Sequence, residues 1–151
     1  MNLKSKVEDE IGTEKDIMLI ENEKQANRTV AKVMGITFLI FTLVYLLNVC
    51  GIFEIRHWVM NTAYAISSVL LLTPIVLTYL LKVENRYIKY IYVISAALFV
   101  TVTRVTLTYH VVVIYVYPIA IASLYFSKKL NILATSLTVV GVSIGQILAF
   151  Y

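Results

Sequence analysis

The sequence predicts an all-α membrane protein, a polytopic helical bundle of five transmembrane helices with its N-terminus in the cytoplasm. Three observations predict it. Of the 151 residues, 60% are hydrophobic and only 15% charged, whereas a soluble domain is about half apolar and about a quarter charged. The acids are crowded at one end: Glu8, Asp9, Glu10, Glu14, Asp16, Glu21 and Glu23 precede any long apolar run, and only Glu54 and Glu84 follow. From Val33 onward, apolar runs alternate with short polar connections. The runs are near the ~20 residues a helix needs to cross a bilayer.

Residues 1–31 form a polar leader. Thr13 with Asp16 is a weak capping box that predicts a helix starting near Glu14, and Ile17 and Ile20 give it a narrow apolar edge. The leader either feeds continuously into the first span or is solvated and partly disordered. The membrane domain then occupies 32–151. Span 1 covers 33–49 and ends in the short loop CGIFEIRH (50–57). Span 2 covers 58–81 and contains Pro74, which predicts a kink, because neighbours in a membrane bundle re-satisfy the freed carbonyl. After the polar connection KVENRYIK (82–89) come span 3 at 88–107 and span 4 at 109–126, with Pro118 in its middle. SKK (127–129) leads into span 5 at 130–151. This last run closes on GQILAFY with no polar flank, which predicts that the protein continues into a sixth span.

Orientation follows from the basic residues. With the N-terminus inside, the inner segments hold Lys4, Lys6, Lys15, Lys24, Arg28, Lys32, Lys82, Arg86, Lys89, Lys128 and Lys129, and the outer ones only Arg56 and Arg104. Tyr87, Tyr90 and Tyr92 are placed as aromatic anchors at the inner face, with Trp58 and Tyr109 at the outer one. The net charge of +4 therefore marks topology and predicts no nucleic-acid partner.

Arg104 is the most expensive residue in the sequence. At the centre of a membrane helix an arginine costs about 2.5–3.5 kcal/mol. Counting ~1.5 Å per residue from Lys89 puts it in the outer third of the bilayer. Thr101, Arg104 and Thr108 share one helical face. Two readings stand: Arg104 binds an anionic ligand or headgroup at the outer mouth, or it snorkels as an interfacial anchor. With Thr108, Tyr109 and His110 it forms the candidate signal-facing set. The run VVVIYVY (111–117) has strand-like composition. An unpaired strand in lipid would leave its backbone groups unsatisfied, so helix is the reading. Gly141, Gly145 and Ala149 recur every fourth residue and form a small-residue ridge for close packing, either within the bundle or between two copies, with Gln146 beside it.

Other chemistry is poorly served. The single Cys50 excludes an internal disulfide and a cysteine zinc site. His57, His110 and Glu54 lie on the same outer side, but nothing in their spacing demands that they converge on a metal. No metal and no cofactor is predicted. No carboxylate lies within a span, as proton relays need, and no Walker loop, GxSxG, HExxH or CxxC occurs.

The charged leader, the short loops, Tyr109, His110, Pro118 and the stretch LYFSKKL (124–130) resemble the N-terminal multi-span membrane module of bacterial, Clostridia-like signalling proteins. The likeness spans roughly residues 20–151. It implies a sensor or anchor module, non-catalytic in this segment, ahead of a cytoplasmic output domain such as a diguanylate cyclase, a PP2C-type phosphatase or a histidine kinase. The expected partners are the lipid bilayer, a second copy through the membrane helices, and an unidentified small-molecule signal. The alternative is a small transporter or transporter fragment, which would use Pro74, Pro118 and the Thr101/Arg104/Thr108 stripe.

Overall fold

The structure, a computed structural model, describes residues 3–52, 55–82, 87–107 and 112–150, with side chains over 18–52, 55–82, 87–106 and 114–147. Every element among them is helical. Helix α1 (Leu3–Val49) is a single run of 47 residues, about 70 Å at the usual rise. It is already formed at Leu3, well before the start that Thr13 predicts. The flanking Leu, Lys and Glu residues favour helix, and their summed propensity outweighs one weak cap. At its other end α1 stops where Gly51 turns into the left-handed region at φ 78°. There Ile52 N–H donates to the Leu47 carbonyl and Gly51 N–H to that of Asn48, both at 3.0 Å. Two carbonyls that the helix end would orphan are thereby satisfied.

Helix α2 (His57–Ile75) passes through Pro74 without breaking. It continues as a wide π-type turn over Val76–Leu80, closed by Leu81 N–H on the Val76 carbonyl at 2.9 Å. Helix α3 (Ile88–Leu107) coincides with the predicted third span. The predicted fourth span lies partly outside the described residues. Within them a tight 3-10 turn (Val112–Val116) leads into the short helix α4 (Tyr117–Ser123), and the apolar helical stretch runs over Ile114–Ser123. Pro118 sits at the start of α4 rather than mid-helix. It has no N–H to donate, and its ring opposes the carbonyl four residues back, so the α-helix starts there and the chain before it winds more tightly. Residues 108–111 lie outside the described residues. Helix α5 (Lys128–Phe150) completes the bundle.

Among the described residues four helical stretches, Met18–Val49, His57–Leu80, Ile88–Thr106 and Lys128–Ile147, are long and apolar enough to cross a membrane. Helix α3 is central, packed against α2, α4 and α5, while α1 lies along α2. The middle of the bundle is aromatic. Tyr45 stacks on Tyr64 with centroids 4.2 Å apart, and Phe41 meets the edge of Phe99 at 5.6 Å. The faces turned away from the core carry Leu39, Ile40, Leu43, Val69, Leu80, Val139 and Val140. An apolar exterior around an aromatic, partly polar interior suits lipid as the solvent.

Hydroxyls along these helices donate back to carbonyls of their own helix. Thr37 donates to Val33, Thr42 to Phe38, Thr101 to Ala97, Thr103 to Phe99 and Thr138 to Ala134. Each bond hides a polar group that lipid would not solvate. Two of the same oxygens also bridge helices: Thr37 pairs with the Tyr117 hydroxyl at 3.0 Å and Thr42 with that of Tyr64 at 3.1 Å.

Candidate functional site

Polar side chains gather at the two ends of the bundle. The end holding Lys82, Lys89, Lys128 and Lys129 is called the basic end here, and the end holding Arg56 and Arg104 the far end.

At the far end Arg104 is 7% exposed. Its guanidinium Nη2 donates to Gln146 Oε1 across the α3–α5 seam. Its stem lies over Gly145, where an added Cβ would come within 2.8 Å of Arg104 Cγ. One turn earlier, Thr101 lies over Gly141, and a Cβ there would collide with the Thr101 hydroxyl. Two of the three ridge residues thus act inside the bundle: they let α5 approach α3 and make room for a threonine and an arginine. Of Ala149's side chain the structure describes nothing. Thr101 and Arg104 share the face that helical spacing predicts, and that face meets α5. Thr108, Tyr109 and His110 lie outside the described residues, as does Glu54.

Asn48, near the end of span 1 and 1% exposed, is a further far-end residue. Its Oδ1 accepts from Ile55 N–H at 3.3 Å and ties the loop after α1 back onto that helix. His57 is exposed at the start of α2. Among the described residues no three His, Cys, Asp or Glu side chains come together in a way that suits a metal.

The basic end holds a larger arrangement, which sequence reasoning missed. Tyr92, expected as an interfacial anchor, is 1% exposed. Its hydroxyl lies 2.6 Å from Thr78 Oγ1 and 3.4 Å from the Pro74 carbonyl, inside the distorted end of α2. One proton arrangement satisfies both contacts: Thr78 donates to Tyr92, and Tyr92 donates to Pro74. Tyr125, in the turn after α4 and 6% exposed, donates to Asn27 Oδ1 of α1 at 2.7 Å. Lys89, one turn before Tyr92 on α3, forms an ion pair with Glu23 of α1. Tyr92 and Tyr125 belong to the same buried cluster.

The signal that marks Tyr92 as buried was present in the sequence. Ile88, Tyr92, Ala96 and Phe99 recur on one helical face, and all are buried. No local pattern announces Tyr125 with Asn27, because 98 residues separate them.

The fold is therefore a helical bundle, several of whose helices are compatible with a membrane, with polar clasps at both ends. No family model, curated protein or solved structure matches the chain.

Proposed function

We propose that the chain is a non-catalytic sensor or anchor module of a membrane signalling protein, with the basic end and the projecting part of α1 in the cytoplasm. The observation that carries this reading is the continuity of α1. One helix runs from Leu3 to Val49, so a displacement within the bundle is delivered to the polar segment without an intervening joint. The excess of basic residues at one end supports the orientation. In this reading 109–126 supplies a fifth crossing, and Arg104 with Thr108, Tyr109 and His110 faces the signal on the outer side. Arg104 suits that role because a cation held between α3 and α5 couples any change in its surroundings to the packing of both helices.

Cys50 offers a direct test of orientation, since it is the only cysteine and is exposed at the far end. A membrane-impermeant maleimide added to intact cells labels Cys50 if the reading is right; labelling only after lysis reverses the topology. Arg104→Ala tests the sensing role. The expected result is normal insertion with altered mobility of a probe on the leader. An unchanged probe removes Arg104 from the signal path.

A further inference from the structure

The end of α2 departs from regular α geometry. After Pro74 the helix closes on the fifth residue instead of the fourth, through Leu81 N–H on the Val76 carbonyl. The next residue, Lys82, sits in the left-handed region at φ 46°. A π turn holds one residue more than an α turn and has poorer geometry, so it persists where something outside the helix supports it. Here the support is visible. The Tyr92 hydroxyl enters the widened turn and touches both Thr78 Oγ1 and the Pro74 carbonyl.

We propose that the Val76–Leu80 turn is a two-position element and that Tyr92 is its lock. With the hydroxyl seated, the turn is wide. With the hydroxyl withdrawn, the turn loses its support and passes between the wide and the α closure, opening its amides in passing; on tightening, the residues after it rotate by about 100°, one residue of an α-helix. Thr78 then leaves the face of α3.

The consequence reaches α1 through α3. Lys89 and Tyr92 are three residues apart on α3, on adjoining positions of one face. The side chain that locks α2 and the one that holds Glu23 therefore move together when the first turn of α3 shifts. Tyr125, packed in the same cluster as Tyr92, carries the second hold on α1 at Asn27. Unlocking the π turn loosens both holds on α1 just where it leaves the bundle. The device rests on the signalling reading for its purpose and on its own geometry for its existence.

The experiment uses the whole chain in lipid nanodiscs. Tyr92→Phe keeps the ring and removes the hydroxyl, and Thr78→Val removes the partner in case the first variant folds poorly. Amide hydrogen exchange is followed over Val76–Lys82. A nitroxide is placed at the exposed position 20 through Ile20→Cys in a Cys50→Ser background. In either variant, exchange over Val76–Lys82 rises about tenfold, the equivalent of one buried hydrogen bond, and the position-20 label becomes more mobile. Unchanged exchange in both variants overturns the lock. Faster exchange with an unmoved label overturns the relay to α1. If Tyr92→Phe frees the label while Arg104→Ala does not, the device stands and the sensing role of Arg104 falls.

Discussion

At the far end a buried arginine reaches Gln146 across the seam between α3 and α5; at the basic end, side chains of α3 and of the turn after α4 reach α1, and Tyr92 reaches α2. The two ends solve different problems. Arg104 is a charge in a medium that solvates charge badly, and its seat depends on the backbone of α5 being bare at Gly145, as that of Thr101 does at Gly141. The polar contacts of the basic end do not sit over a glycine. It uses neutral tyrosine hydroxyls and a partly exposed ion pair, with the Lys89 and Glu23 side chains 17% and 34% exposed. The comparison teaches that the far end is brittle, because one atom too many separates two helices. The basic end is graded, because each contact is modest and replaceable.

The strongest test of that contrast is Gly141→Leu. The new side chain drives into Thr101 and pushes α5 from α3, with an expected loss of about 3 kcal/mol, read as a lower unfolding midpoint in detergent titration. An unchanged midpoint would mean that α3 and α5 do not meet at Gly141.

Next comes Gln146→Leu, which removes the amide that Arg104 donates to. A loss of about 2 kcal/mol is expected for a hydrogen bond to a charged group. Adding Arg104→Met to it should return most of that loss, since replacing both members of a buried polar pair is far cheaper than replacing one. A double variant as unstable as the single one would show that the pair is not the unit that matters.

At the basic end the effects are smaller. Tyr125→Phe leaves the ring in the core and removes its donor to Asn27, at an expected cost of about 1 kcal/mol. The sharper readout is proteolysis of α1 near Asn27, which should accelerate. Glu23→Gln is the mildest change, about 0.5 kcal/mol for a pair partly open to solvent. Its effect should vanish in high salt, because such pairs are screened over about 10 Å at 0.1 M. A Glu23→Gln cost that survives molar salt would move this pair into the same class as Arg104.

Much of the helical framework was legible in the residues. Hydropathy and length placed the stretches that became α1, α2, α3 and α5, because a lipid-facing helix must be apolar over a whole span whatever it packs against. Pro74 was legible as a tolerated distortion, though not as a π turn. The stretch 109–126 was less legible. Its apolar composition meets the span criterion, but Pro118 decides where an α-helix starts, and the resulting α4 is short. Tyr92 shows how a local rule misleads. A tyrosine near basic residues reads as an interfacial anchor, yet it lies on the buried face of the one helix surrounded by others.

By itself the sequence determined what solvent each part demands: apolar runs for lipid, a charged leader for water, and basic residues crowded towards one end. Those are additive properties of neighbouring residues, so they need no knowledge of the fold. The partners were decided only when the helices packed. That Gly145 makes room for Arg104, that Gln146 receives its charge, that Tyr92 enters the turn behind Pro74 and that Tyr125 reaches Asn27 all depend on the rotation and depth of one helix against another. Hydropathy is nearly indifferent to that rotation. Steric fit at a bare glycine and the cost of an unsatisfied hydroxyl are not, and they select the arrangement.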